Sequence, residues 1–209
     1  MAQFLVIDSA VTGDASVSRN LTTELVERIA RQNPSARIVR RDVGATPIPH
    51  LAAATVGAIR GVADNDASRA TLALSDELIA EVQDADVLVI GAPMYNFGMS
   101  STLKTWFDHV LRAGVTFRYT AEGVPEGLVK NKRAIVVETR AGFYSEGPAA
   151  ALDSQEPHIR TLLGFIGITE ITFVRAEKLA FGPDAASAAI AEATAQLHGL
   201  ANETLALAA

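Results

Sequence analysis

A chain of 209 residues is long enough to bury roughly two-thirds of its unfolded surface as one domain, residues 1–209, and with no cysteine it has no disulfide, thiolate nucleophile, Cys-ligated zinc or iron–sulfur cluster. The formal net charge of −6, from 18 Lys+Arg against 24 Asp+Glu, speaks against DNA or RNA as a partner, because polyphosphates demand clustered positive charge. Hydrophobic residues make up 49%, yet no apolar run approaches the roughly 18 residues of a membrane span, and Phe4–Ile7 meets Asp8 too soon for a signal-peptide core, so a cytoplasmic protein away from the membrane is expected.

Phe4–Asp8 is a wholly apolar run ending in an acid, the pattern of a parallel strand buried on both faces. Leu21, Leu25 and Ile29 then repeat at a spacing of four, one stripe of a helix. Arg37–Arg41 alternates in polarity and suits an edge strand. Leu72, Leu74, Leu78, Ile79 and Val82 mark a second helix, Val87–Ile90 a third strand, and Leu103, Phe107, Val110 and Leu111 a third helix. Ala134–Val137 and Ile171–Val174 have the β-branched character of two further strands, and an Ala-rich amphipathic helix over Ser187–Leu207 closes the chain after Gly182-Pro183-Asp184.

Strands and helices in alternation predict an α/β fold: a doubly wound, five-stranded parallel sheet with helices on both faces, right-handed crossovers and the flavodoxin-like order 2-1-3-4-5. In open sheets of this kind ligands bind outside the carboxyl ends of the strands, which directs attention to the residues after Asp8, Ala92 and Thr139.

The first of these loops, Ser9 to Arg19, puts Ser16 and Ser18 at a helix start, and no Asp or Glu occurs from Ala15 to Thr23. Free N–H groups, a positive dipole end and neutral hydroxyl donors suit a phosphate, although a plain N-cap accounts for the same serines. The loop is neither a Walker A sequence nor a dinucleotide G-x-G-x-x-G, which makes a monophosphate the better ligand. The second loop, Pro93-Met94-Tyr95-Asn96-Phe97, is unusually apolar; its aromatics would pack on a flat ring while Asn96 meets a polar rim, or they simply pack on the core. The third, Thr139-Arg140-Ala141-Gly142, offers two small residues for close backbone approach together with a hydroxyl and a cation, and by itself is only a turn.

Taken together, Ser16-Val17-Ser18, Ala92–Phe97, Arg112–Thr120, Pro125–Val129, Leu163–Ile168 and Phe181-Gly182-Pro183 resemble the FMN-dependent NADH:quinone oxidoreductases, also called azoreductases, along nearly the whole chain. The resemblance implies tightly bound FMN, NADH or NADPH as electron donor, a quinone or azo acceptor served by a ping-pong mechanism, and a homodimer. It implies that Ser16, Val17 and Ser18 hold the FMN phosphate, that Pro93, Met94, Tyr95, Asn96 and Phe97 flank the isoalloxazine, and that Thr139, Arg140, Ala141 and Gly142 contact its pyrimidine side. From spacing alone Tyr119 could be ordinary loop packing; the resemblance implies instead that Tyr119 and Tyr144, with Phe165 of the partner subunit, line the substrate pocket over the flavin, and that the flavin itself carries the chemistry in place of a catalytic side chain. Three positions depart from the family pattern. Ala10 stands where a serine is common, which leaves the reach of Ser9 to the phosphate open; Ala141 replaces the first glycine of Arg-Gly-Gly; and Tyr144 replaces a histidine.

Other chemistries find little support. The histidines at positions 50, 109, 158 and 198 form no i,i+4 pair, so no metal is expected, and no G-x-S-x-G elbow or His–Asp partner accompanies the serines. Asp64, Asp66, Asp76, Glu77 and Glu81 are spread as a solvated helix face requires. The rival from another class is a flavodoxin-type electron carrier, which would show a more strongly acidic surface and an open flavin edge; the mild charge and the aromatic stretch from Phe97 to Tyr119 argue against it.

Overall fold

The structure, a computed structural model, describes residues 2–207; Met1, Ala208 and Ala209, which belong to the expected domain, lie outside the described residues. The apolar runs become strands whose alternate residues enter two separate cores, as the period of two dictates. Along β1 (Gln3–Asp8), Leu5 and Ile7 face one core while Phe4 and Val6 face the other. The remaining sheet strands are β2 (Arg37–Asp42), β3 (Val87–Tyr95), the two-residue β4 (Gly98–Met99), β7 (Arg133–Thr139) and β8 (Glu170–Ala176). The five long strands run parallel in the order β2-β1-β3-β7-β8, the flavodoxin-like order expected, with the arginine-rich β2 on an edge.

Helices α1 (Val17–Gln32) and α5 (Pro183–Leu207) cover one face through Leu21, Leu25, Ile29, Ala193 and Leu197. Helices α2 (Asp66–Asp84), α3 (Ser101–Val110) and α4 (Glu156–Ile166) cover the other through Leu78, Leu103, Trp106 and Leu163. The final helix begins at Pro183, four residues before the expected Ser187, because a proline at the first helical position gives up an N–H that has no intrahelical acceptor. No helix among the described residues is long and apolar enough to cross a membrane.

Three elements go beyond the sequence reading. Helix α4 is short, has Pro157 in its first turn and contains Gly164, so its Ile159, Leu163 and Ile166 stripe is easily missed. The segment after α3 folds into an antiparallel hairpin of β5 (Phe117–Tyr119) and β6 (Pro125–Gly127). That hairpin lies against the end of α4, where a Cβ at Gly127 would stand 2.2 Å from the Gly167 nitrogen and Gly167 itself has φ +106°. Finally β3 runs on through Pro93, Met94 and Tyr95, which are therefore strand and not loop, because the chain folds back at once and pairs Met94 with Met99 and Tyr95 with Gly98.

Candidate functional site

Beyond β1 the chain makes a 3-10 turn at Gly13–Ala15 and enters α1 with Ser16 as N-cap. Ser16 Oγ accepts the Arg19 N–H at 3.3 Å and lies 3.0 Å from Ser18 Oγ, both serines being buried. The N–H groups of Val17 and Ser18, at the first two helical positions, have no acceptor among the described residues, and no acid stands in the first turn. The result is a niche of two hydroxyls and two backbone donors at the positive end of a helix, which fits a phosphate. Ser9 lies beneath: its Oγ donates to the Gly91 carbonyl at 2.7 Å and so clasps β1 to β3 instead of facing the niche. Burial pushes the neighbouring Asp8 carboxyl up, against a hydrogen bond from Thr22 Oγ1 at 2.8 Å and the charge of Arg40 at 3.1 Å.

The tip after β3 is a two-residue hairpin in which Asn96 and Phe97 have φ 48° and 70°, the left-handed pair of a type I′ turn. Asparagine tolerates that region, whereas a phenylalanine there costs on the order of 1–2 kcal/mol. The strain holds two exposed side chains at the sheet's edge, above half-buried Met94 and Tyr95 and buried Pro93. Tyr95 Oη accepts the Val11 N–H at 3.2 Å, and Thr102 Oγ1 donates to the Ser9 carbonyl at 3.0 Å, so the loop after β1 is fastened to the tip and to the first turn of α3.

The segment after β7 corrects one expectation. Arg140 offers no cation to the sheet edge, because its side chain is fully buried and points into the protein. Its Nη2 meets Glu138 Oε2 at 2.7 Å and Asp153 Oδ2 at 3.0 Å, Nη1 meets Glu177 Oε1 at 3.1 Å, and Nε donates to Gln155 Oε1 at 3.2 Å. One guanidinium cannot neutralise three carboxylates. The deepest of them, Glu138, is pushed up to about 8 by burial, with Arg140 opposing and Glu156 and Asp153 reinforcing the shift. The carbonyls of Arg140, Ala141 and Gly142 accept from Leu179, Ala180 and Lys178, while the Ala141 and Gly142 N–H groups have no acceptor among the described residues. The Tyr144 ring lies across Gly142, where an added Cβ would sit 2.8 Å from it, and meets Phe97 edge-on with centroids 6.0 Å apart.

Tyr119 and Phe165 belong to a different aromatic group. Within this chain Phe165 packs on Phe117 at 4.6 Å, and Phe117 meets Tyr119 at 5.8 Å, with Tyr119 60% exposed. Thr139, buried at the end of β7 opposite Pro93, joins the sheet floor. Gln155, whose Nε2 donates to the Ala92 carbonyl at 2.8 Å, and Glu177 are site-building residues that the sequence reading misses, since nothing local announces contacts across 63 and 37 residues. Among the described residues no group of His, Asp and Glu is arranged to hold a metal ion.

A parallel sheet in this order, with a donor-only helix start after its first strand and an apolar tip after its third, defines the flavodoxin-like class, whose ligand lies between those two strands. Residues 2–200 match the protein family described as having a flavodoxin-like fold. An FMN-dependent NADH:quinone oxidoreductase of Hyphomonas neptunium is 50% identical over 201 residues, 96% of each chain. Another from Ralstonia nicotianae is 46% identical over 207 residues, 98% of this chain and 99% of its own. The crystal structure of an azoreductase from Bacillus anthracis matches with a TM-score of 0.88 at 26% identity, over 97% of this chain and 100% of that one. The chain belongs to the flavodoxin-like fold family and, within it, to the FMN-dependent NADH:quinone oxidoreductases.

Proposed function

We propose that this chain, working as a single domain, binds FMN at the carboxyl edge of its sheet and passes electrons from NADH or NADPH to quinone and azo acceptors. The observation that carries the reading is the niche at Ser16–Ser18, with its two free N–H groups and buried hydroxyls, set beside the strained aromatic tip in a chain 50% identical to a protein of that name. In this reading Ser16, Val17 and Ser18 hold the phosphate, and Ser9 braces them through Gly91. Met94, Tyr95, Asn96 and Phe97 flank the ring over a floor of Pro93 and Thr139. The Ala141 and Gly142 N–H groups face the carbonyls of the pyrimidine rim, and Arg140 holds that loop from inside.

FMN supplies the two-electron chemistry when bound, so the chain needs no acid or base of its own. What the residues do is bind, orient and exclude water. Tyr144 packs on Gly142 and Phe97 and with FMN bound would close the pyrimidine end, while Tyr119 would border the entrance and the pocket would admit one planar partner at a time. Donor and acceptor therefore visit in turn, the ping-pong order. Val11, Phe97, Tyr119 and Leu152 are exposed, an apolar set that a second copy of the chain would cover, bringing Phe165 of the partner subunit towards the ring. The homodimer acts in the cytoplasm, where reduced nicotinamide donors are at hand. A carrier of single electrons to protein partners is disfavoured, since the relatives at 46–50% identity are named as NADH:quinone oxidoreductases.

The test is direct. Purified protein reconstituted with FMN should show a bound-flavin spectrum that NADH bleaches under anaerobic conditions and a quinone restores. Protein that takes up no flavin refutes the proposal.

A further inference from the structure

The loop proposed to meet the flavin's pyrimidine rim is held from behind by one turn more than thirty residues away. Glu177 follows β8, and its Oε1 accepts the N–H groups of Tyr144 at 2.8 Å and Ser145 at 3.1 Å as well as Arg140 Nη1 at 3.1 Å; Oε2 accepts the Ser145 hydroxyl. The next residue, Lys178, has φ +63°, a left-handed conformation that a lysine adopts only where its surroundings force it. From there the Lys178 N–H donates to the Gly142 carbonyl at 2.7 Å and its Nζ lies 4.0 Å from the centre of the Phe143 ring. Leu179 and Ala180 complete the attachment through the Arg140 and Ala141 carbonyls at 3.2 and 3.0 Å. Every carbonyl from Arg140 to Gly142 is thus turned inward, which leaves the Ala141 and Gly142 N–H groups without acceptors among the described residues.

We propose that Glu177 is a positioning residue for the cofactor: by gripping the backbone of Tyr144 and Ser145 it sets the direction of the Ala141 and Gly142 N–H groups and seats the Tyr144 ring that closes the pyrimidine end. The inference rests on the flavin reading above. Burial works against the Glu177 carboxylate, but hydrogen bonds from Ser145, Tyr144 and Arg140 outweigh it and hold its carboxyl below the usual range, so at neutral pH it is an anion with only acceptor capacity. Reach and charge can be separated by substitution. Glu177→Gln keeps a carbonyl oxygen at the same reach and loses the charge, which Glu138 can replace by giving up its proton beside Arg140. Glu177→Asp keeps the charge and withdraws it by one methylene from the two N–H groups.

The experiment titrates wild-type and variant apoproteins with FMN and with riboflavin, and measures the midpoint potential of the reconstituted flavin. Positioning predicts that Glu177→Asp weakens both flavins about tenfold, as one hydrogen bond lost when the loop N–H groups are misdirected would. The FMN-to-riboflavin ratio stays unchanged, because the phosphate niche is elsewhere, and the midpoint potential and absorption bands shift. Glu177→Gln should stay within about threefold of wild type with an unshifted potential. The reverse order, or wild-type affinity and potential in Glu177→Asp, overturns the proposal and leaves Glu177 a purely structural ion-pair partner. Wild-type protein that binds neither flavin overturns the flavin reading, and this inference with it.

Discussion

Replacing Ser16 with aspartate tests the phosphate niche without threatening the fold. Aspartate caps helices as well as serine does, so it can take over the Arg19 N–H that Ser16 Oγ accepts at 3.3 Å. Its charge also favours the helix dipole by about 0.3–1 kcal/mol, and the apoprotein should melt no lower than wild type. Against FMN the same charge is repulsive. Ser16 and Ser18 hydroxyls lie 3.0 Å apart, so a carboxylate at position 16 stands inside the niche. At a separation of about 4 Å and an effective dielectric near 20, each unit of phosphate charge costs about 4 kcal/mol, or about a thousandfold in Kd. Riboflavin, which lacks the phosphate, should bind both proteins alike. Fluorescence titration of apoprotein with the two flavins, beside thermal melts in their absence, reads all three expectations. FMN affinity within about tenfold of wild type, or an equal loss for riboflavin, would place the phosphate somewhere other than α1.

Glu138, with its carboxyl raised by burial to about 8 against an ordinary 4.5, keeps a proton in the folded chain that the unfolded chain releases; stability therefore falls as pH rises through that window. Glu138→Gln removes this loss, so its unfolding free energy should gain on wild type between about pH 5 and about pH 8 by no more than about 1.4 kcal/mol per pH unit, and parallel pH profiles in denaturant titrations would refute the assignment. Gly127→Ala pushes a methyl to 2.2 Å from the Gly167 nitrogen, where backbone on both sides cannot yield, and should lower the urea midpoint by the equivalent of about 1–3 kcal/mol; an unchanged midpoint means that the β5–β6 hairpin is not clamped there. With NADH and a quinone varied together, double-reciprocal plots should be parallel, and intersecting lines would mean that both partners bind at once. Sedimentation should give a dimer at assay concentrations, and a fully active monomer would remove the role of Phe165 across the interface.

What one-dimensional pattern determines here is whatever has a local physical cause. Central parallel strands are buried on both faces and so appear as unbroken β-branched runs, while the edge strand β2 alternates; the alternation of strand runs with helical stripes identifies the doubly wound class and suggests the order β2-β1-β3-β7-β8 that the fold adopts. The proposed phosphate niche is legible for the same reason, since an N-cap serine, a second hydroxyl and an acid-free turn all lie within one short stretch from Ser16 to Ser18. Tertiary structure alone decides the rest. The extension of β3 to Tyr95 depends on the chain turning back at Asn96 and Phe97, and the left-handed conformation of Phe97 is one that no propensity favours. Tyr119 and Tyr144 look alike in sequence yet join separate aromatic groups, because one sits on the hairpin beside Phe117 and the other on the turn beside Phe97. Arg140 reads as an available cation until the fold brings Glu138, Asp153 and Glu177 around it, and a buried guanidinium turns towards those carboxylates, since only there is its desolvation offset.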